Sequence, residues 1–202
     1  MSRINKLFLT LAALVVLGVG APAAKADACT VPGNLVVNCG FETGTFSGWT
    51  QSGNTGFTGI NAASAHSGSL GAFFGPVGSL GFITQNLATT PGATYNLSFW
   101  LSNDGGTPNQ FTASFNGVIL TTLTNSASFA YTLFTFNGLV ATSASTQLQF
   151  GFRDDPAFWR FDDVIVVAGI HPVPEPATML LLGSGLVGIG MKLRRRRKAE
   201  IA

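Results

Sequence analysis

Along the middle of the 202-residue chain, apolar and polar residues alternate in short runs, and helical periodicity is hard to find. The clearest run is TYNLSFWLS (94–102), in which apolar side chains take every second position and Trp100 stands on the otherwise polar face. Alternation over four to eight residues is typical of a half-buried β-strand. The same kind of pattern predicts further strands at 34–38, 70–75, 81–87, 110–115, 118–123, 129–138, 146–152 and 158–168.

Turn-forming residues separate these runs. Asn116-Gly117 lies between two alternating runs and predicts a two-residue hairpin with a type I′ turn. Pro91-Gly92 and the Asp-Gly-Gly at 104–106 mark further turns. Eight or more strands at this spacing predict an all-β fold, an antiparallel β-sandwich or jelly roll. We assign this domain to residues 27–170, a length that supports one core.

The first 26 residues differ from the body that follows. Arg3 and Lys6 precede an apolar run of 13 residues (7–19), and small residues then lead to an A-x-A cleavage site that ends at Ala26. This order predicts a helical signal peptide at 1–26 and export through the Sec translocon. A membrane anchor is one alternative, although the run is shorter than the roughly 20 residues that span a bilayer. A lipoprotein signal that uses Cys29 is another.

A second uncharged run lies near the C-terminus. The 16 residues between Glu175 and Lys192 would form a helix roughly 24 Å long, and Lys192 can extend its reach by snorkelling. We therefore predict a transmembrane helix at about 177–193, inserted in the inner membrane, with a cytoplasmic tail at 194–202. The basic cluster after the helix has the composition of a stop-transfer signal, and its members are Arg194, Arg195, Arg196, Arg197 and Lys198.

A nucleic-acid-binding arm is the alternative for this basic cluster, but the charge of the body argues against it. Residues 27–171 contain seven carboxylates, two arginines and no lysine, for a net charge of −5. A body of this charge has no basic patch for DNA or RNA. We therefore expect no nucleic-acid partner.

The order Pro174-Glu175-Pro176, apolar helix, arginine cluster resembles the PEP-CTERM sorting signal over about 30 residues at 171–202. In that family the Pro-Glu-Pro tripeptide is the recognition site of exosortase, a membrane protease. The resemblance implies a Gram-negative bacterium, a membrane-anchored intermediate and a final place on the cell surface or in the extracellular matrix. The two prolines also keep the tripeptide out of the helix. A plain C-terminal anchor with a proline-rich stalk is the alternative.

Four segments of the body resemble galactose-binding-like jelly rolls, and among them carbohydrate-binding modules. In chain order they are NLVVNCGFETGTFSGW, SAHSGSLGAFF, TPGATYNLSFWL and FWRFDDVIVV. Cys39 departs from the glycine or small residue usual in the first segment. The resemblance implies a polysaccharide ligand.

Cys29 and Cys39 lie ten residues apart in a chain that we expect to be exported, and export favours a disulfide between them. A bridge across so short a loop would contribute roughly 2.5–3 kcal/mol. Two free thiols or a metal site are the alternatives.

The resemblance also implies a structural calcium ion. In these modules a glutamate after the first strand and an aspartate of the last strand meet around Ca²⁺, and hard oxygen ligands suit that ion. Glu42 and Asp162 match those positions, with Asp163 as a helper. Because neighbouring strand residues point to opposite faces, we expect only one of the two aspartates to reach the ion. Alternatively, Glu42 caps a turn and the aspartates are solvated.

Aromatic side chains are the candidates for sugar binding. Trp100 and Trp159 can offer platforms for a sugar ring, while Asn103 and Arg153 can bind hydroxyl groups. The alternative is that both tryptophans close the ends of the sandwich. Trp49, in contrast, is expected in the core.

Catalysis has little support in the sequence. His66 and His171 are the only histidines, and the G-x-S-x-G, H-E-x-x-H and phosphate-loop motifs do not occur. Asp154 and Asp155 are sequence neighbours, which fits poorly with a glycosidase pair. We therefore expect no enzyme but an exported jelly-roll domain that binds polysaccharide. The alternative is a structural matrix or biofilm protein with no specific sugar site.

Overall fold

The computed structural model describes residues 27–169, which form two five-stranded antiparallel sheets. The strands are β1 (Thr50–Gly53), β2 (Thr58–Asn61), β3 (Gly71–Phe74), β4 (Gly81–Ala88), β5 (Thr94–Asn103), β6 (Asn109–Phe115), β7 (Val118–Thr124), β8 (Phe129–Val140), β9 (Ser145–Asp154) and β10 (Trp159–Ala168). One 3₁₀ turn, Ala62–Ser64, follows β2.

The strand order is β1-β4-β9-β6-β7 in the first sheet, here the front sheet, and β2-β3-β10-β5-β8 in the second, the back sheet. Consecutive strands often belong to opposite sheets, so many loops cross between the two at the ends of the sandwich. The predicted antiparallel β-sandwich is confirmed. The signal-peptide and transmembrane helices predicted at the two ends lie outside the described residues, and within 27–169 no helix has the length and apolarity to cross a membrane.

Phenylalanine rings fill the space between the sheets. Phe161 of β10 lies near the middle of this layer, and its ring centroid is 4.6 Å from that of Phe150 on β9. Its further ring neighbours come from both sheets and from the N-terminal segment: Phe41, Phe74, Phe99, Phe111 and Phe152. Trp49 is also buried in this core, as predicted.

Most strand predictions are confirmed to within two residues. The predicted inward face of β5 is fully correct, because its four apolar residues, Tyr95, Leu97, Phe99 and Leu101, are all buried. The hairpin turn is confirmed as well: Asn116 and Gly117 both have positive φ, and Phe115 pairs with Val118. Strands β1 and β2 were missed because their four-residue sequences, TQSG and TGIN, show no apolar alternation.

The strand predicted at 34–38 is wrong. This segment passes from one sheet to the other: the N–H of Leu35 donates to the carbonyl of Val166 in β10, and Val37 bonds to the side-chain amide of Gln85 in β4. Asn38 then takes a left-handed conformation with φ of 52°. The apolar run at 34–38 therefore reflects a buried Val36 and a partly buried Leu35 that pack against the core, and the segment forms no strand ladder.

Replacement of Phe161 by Ala tests the ring layer. Because the side chain is fully buried, we expect a loss of about 3–5 kcal/mol in the free energy of unfolding, measured by urea denaturation. Ile119→Ala, at an exposed position of β7, is the control, and its effect should stay within about 0.5 kcal/mol. Equal losses in the two variants would contradict this description of the core.

Candidate functional site

The outward surface of the front sheet, here the front face, is polar and nearly uncharged. Its side chains alternate with the buried positions of β1, β4, β9, β6 and β7. They are Thr50, Ser52, Phe82, Thr84, Asn86, Gln110, Thr112, Ser114, Thr122, Thr124, Ser145, Gln147, Gln149 and Arg153, with two aliphatic residues, Ala88 and the exposed Ile119. A surface of amides and hydroxyls can exchange hydrogen bonds with another uncharged polar molecule.

One aromatic ring, that of Phe82, lies on this polar face. It covers Gly151 of the neighbouring β9, where a Cβ atom would come within 2.8 Å of the ring. The ring also packs beside Gly53 of β1, at 3.0 Å from a Cβ built there. Glycine on both sides therefore lets the ring lie across the sheet. In the sequence Phe82, like Trp100, is a lone aromatic residue on the polar side of an alternating run. That pattern could have identified Phe82 as a candidate, but the sequence analysis did not include it.

Arg153 lies at one end of the front face and is bound by an acidic partner. Its Nε and Nη2 atoms donate to the two carboxylate oxygens of Asp155 at 2.8 and 2.9 Å. These hydrogen bonds from Arg153 lower the pKa of Asp155 to about 2. The pair adds no net charge to the front face.

Trp100 lies on the outward surface of the back sheet, here the back face, as the alternation in β5 predicted. The imidazole of His66 stacks on its ring with centroids 3.8 Å apart, and Tyr131 meets the same imidazole edge-on. One face of the Trp100 ring is therefore already covered by the protein.

The other two predicted sugar ligands are not on the surface. Trp159 is completely buried, and its indole N–H donates to the carbonyl of Arg153. Asn103 is buried too, with its amide bonded to the backbone of Ser126 and Gly105. The structure does not bring the four predicted residues together, because β5 and β9 belong to different sheets and Trp159 points between them. The alternative role of Trp159, closing the sandwich, agrees better with its burial.

Asp162 and Asp163 are both buried, and both contact the same two residues. The carboxylate of Asp162 accepts the backbone N–H groups of His66 and Ser67 at 2.7 and 3.2 Å. Asp163 lies 2.6 Å from Nδ1 of His66 and 2.6 Å from the Ser67 hydroxyl. The expectation that they point to opposite faces is wrong, because φ of Asp163 is 52° and the pairing with β5 is irregular there. A bulge of this kind re-aims a side chain.

The remaining acidic groups near this aspartate pair are Glu42 and Asp27. Glu42 is exposed, and its Oε1 accepts the N–H groups of Ser69 and Leu70, so it holds the loop that also contacts the pair. Asp27 approaches more closely: Asp27, Cys29 and Asp163 place one ligand atom each within 4.8 Å of one another. Burial, and next the charge of Asp163, raises the pKa of Asp162 to about 8. A cation bound here would offset the repulsion between the Asp162 and Asp163 carboxylates.

The predicted disulfide is present, and it ties the N-terminal segment to the core. Cys29 and Cys39 are bonded, with Cα atoms 5.9 Å apart. The sulfur of Cys29 is therefore no thiolate and a poor metal ligand. The bridge also holds Asp27 near the aspartate pair, since a Cβ at Gly40 would be 3.4 Å from Asp27 and 3.5 Å from Asp162.

Asp154, at the end of β9, carries the one buried side-chain oxygen or nitrogen without a hydrogen bond within residues 27–169, its Oδ2 atom. Its Oδ1 accepts the N–H of Ala157 at 3.1 Å. Burial raises the pKa of Asp154 to about 6. The carboxyl therefore holds its proton in the folded protein at pH values where it would ionise in the unfolded chain.

Comparison with known proteins gives the class first. Residues 33–153 match the carbohydrate binding domain family, and residues 172–197 match the PEP-CTERM protein-sorting motif. Since the first match covers more than half of the chain, the chain belongs to the carbohydrate binding domain family, and it carries a sorting motif for export to the cell surface. No curated protein sequence matches this chain.

Solved structures with the same fold are distant in sequence. The chain is similar to TmCBM61, solved in complex with β-1,4-galactotriose, at 18% identity and a TM-score of 0.56, over 67% of this chain and 98% of that one. It is also similar to a Clostridium thermocellum xylanase 10B fragment complexed with xylohexaose, at 17% identity and a TM-score of 0.51, over 70% of this chain and 29% of that one. At these identities the likeness shows the fold.

The protonation of Asp154 predicts a pH dependence. As pH rises from about 4 to about 6, the unfolded chain loses this proton and the folded domain keeps it, so the contribution of Asp154 to stability falls and then stays constant. We expect the difference in unfolding free energy between Asp154→Asn and wild type to grow over that range in favour of the variant, measured by urea denaturation at each pH. Asp155→Asn is the control: because the pKa of Asp155 is lowered to about 2, its contribution to stability rises between about pH 2 and about pH 4, and above pH 4 the curve of this variant should run nearly parallel to that of wild type. Parallel pH curves for Asp154→Asn and wild type would contradict the burial argument.

Proposed function

We propose that this protein binds uncharged polysaccharide through its front face, after export and sorting by its C-terminal motif. The observation that carries the proposal is the Phe82 ring, which packs against Gly151 of β9 on a surface rich in amides and hydroxyls. A sugar ring has apolar C–H faces and a polar rim. An aromatic ring can pack against the first while neighbouring side chains bond to the second.

The polar groups around Phe82 are partly ordered before any ligand arrives. The amide of Gln149 donates to the hydroxyl of Thr84 at 3.2 Å, and Arg153 is held by Asp155. Groups already held in place lose less entropy when they bind a ligand. The absence of net charge along this face favours a neutral chain over an acidic one.

The ends of the chain supply the delivery route of this proposal. A signal peptide at 1–26 directs the chain to the Sec translocon, and the helix at about 177–193 holds it in the inner membrane of a Gram-negative bacterium. Exosortase then recognises Pro174-Glu175-Pro176 and releases the domain to the surface or the matrix. The sorting match at 172–197 supports this route.

We propose binding without catalysis. Glycoside hydrolysis uses two carboxylates roughly 5–9 Å apart on either side of the bond. The strands of the front sheet carry no outward carboxylate within residues 27–169, and Asp155, which follows β9, is bound to Arg153 through both of its oxygens. The family match is to a binding domain, which agrees with this proposal.

Substitution of Phe82 tests the platform. Phe82→Ala should weaken binding to a retained neutral polysaccharide about tenfold or more, measured by affinity electrophoresis against xylan, β-1,4-galactan, cellulose derivatives and β-1,3-glucan. Phe82→Leu keeps an apolar cover over Gly151 and removes the flat ring, so it should also lose binding while its melting temperature stays close to wild type.

Leu133→Ala, at an exposed position of the back sheet, is the control and should bind like wild type. Wild-type binding by both Phe82 variants would overturn the platform. No retention of wild type by any gel would favour the alternative, a structural matrix protein without a specific sugar site.

We also propose a structural calcium ion at the aspartate pair. The hard oxygen donors that this ion prefers come from Asp27, Asp162 and Asp163. Glu42 contributes indirectly, because it holds the backbone at residues 69–70. The bound ion would supply positive charge to two adjacent buried carboxylates. An ionised carboxylate this deeply buried destabilises the folded state unless a positive charge lies beside it, and the residues therefore fit such an ion.

Chelation tests the calcium proposal. At about 100 times its Kd, an ion adds roughly 2.7 kcal/mol, so EDTA should lower the melting temperature by roughly 5–10 °C. Asp163→Asn should abolish the response to added Ca²⁺, and Asp155→Asn should keep it. A melting temperature that EDTA leaves unchanged would rule the site out.

A further inference from the structure

A cleft of about 210 Å³ opens on the back face, on the opposite side of the sandwich from Phe82. Its walls come from β2, the 3₁₀ turn, β3, the loop before β10 and β10 itself. The lining residues are Asn61, Ala63, Ser64, Phe73, Phe158 and Arg160. We propose that this cleft is a second binding site for uncharged polysaccharide and that it makes the domain bivalent; the inference rests on the polysaccharide binding proposed above.

Two aromatic rings in the cleft are placed by glycines, in the same way as Phe82. A Cβ at Gly59 would come within 2.7 Å of the Phe73 ring, and a Cβ at Gly75 within 2.7 Å of the Phe158 ring. Neither glycine has the positive φ that would itself favour glycine. The absent side chain of Gly59 leaves room for the Phe73 ring, and that of Gly75 leaves room for the Phe158 ring and for the carbonyl of Ala157, 2.9 Å from the built Cβ. The two rings meet edge to face, with their centroids 5.6 Å apart.

Fixed hydrogen-bond donors stand beside these rings. The guanidinium of Arg160 donates to both carboxylate oxygens of Asp104 and to the carbonyl of Ala63. Three of its five N–H groups are used in these contacts, which leaves two for a ligand. Asn61 accepts the N–H of Ser64 through its side-chain oxygen, and its amide nitrogen has no hydrogen-bond partner within residues 27–169.

The charge of the cleft selects its ligand. Asp104 compensates Arg160 at 2.8 Å, so the cleft offers donors and apolar ring surface without net charge. Uncharged sugar chains present hydroxyl acceptors and apolar C–H faces together, which matches that combination. An acidic chain would gain no attraction from the compensated arginine and would meet the carboxylate of Asp104.

The two sites face away from each other across the sandwich. Packed sheets lie about 10 Å apart, and the side chains of both outer faces add to that separation. One short oligosaccharide cannot occupy both sites, so each domain would hold two separate chains or two distant parts of one. Binding at two faces raises avidity for a dense polysaccharide and cross-links it without a covalent bond.

Stoichiometry tests bivalency directly. The full chain, in a zwitterionic detergent without a sugar headgroup, would be titrated calorimetrically with xylohexaose, cellohexaose, laminarihexaose and β-1,4-galactotriose. We expect two molecules of at least one of these sugars per chain. Phe82→Leu and Phe158→Leu should each reduce this number to one, and the double variant should bind none.

Phe158→Leu keeps an apolar cover over Gly75, and an unchanged melting temperature would show that the fold is intact. One sugar per chain, lost in Phe82→Leu and kept in Phe158→Leu, would overturn the second site and leave the front-face proposal standing. One sugar, lost in Phe158→Leu alone, would overturn the front face and with it bivalency. No binding of any of the four sugars would overturn both proposals.

Discussion

The ring layer between the sheets is the constraint on which the two outer faces depend. Phe161, Phe150 and their neighbours are large, rigid and fully buried, so the sheets are held at a separation that the rings set. With the aromatic side chains of alternate positions turned inward, the opposite positions of each strand are left for polar residues. In each strand of the front sheet the apolar residues occupy the alternate positions that face the core. The positions that face water are left mainly to polar residues, and the front face is therefore polar.

Glycine decides how closely an aromatic ring can approach the neighbouring strand. Phe82, Phe73 and Phe158 each lie within 2.8 Å of the place where a glycine on another strand or loop would carry a Cβ. Any larger residue there would displace the ring from the backbone. The same device on both sides of the sandwich gives a small domain of low charge two surfaces of similar chemistry.

The bulge at Asp163 connects the back sheet to the N-terminal segment. Through it, two adjacent carboxylates reach the His66-Ser67 backbone and hydroxyl together, and the Cys29–Cys39 bridge brings Asp27 to the same place. The loop held in this way begins with the 3₁₀ turn that lines the back-face cleft. The order of this loop and the shape of the cleft therefore depend on the same buried acids.

From the sequence alone, alternation determined the sandwich and nearly all of its long strands, because burial on one face of a strand has a period of two. The order of the Pro-Glu-Pro tripeptide, the apolar run and the arginine cluster determined the sorting signal, since that order is a property of the sequence itself. The tertiary structure decided which residues from distant parts of the chain lie together, and alternation along a single strand carries no information about that. It buried Trp159, it turned Asp163 to the side of Asp162 through one left-handed residue, and it brought Gly151 under Phe82 from 69 residues away. Each of these depends on which strand lies beside which, and that is set by the packing of the whole core.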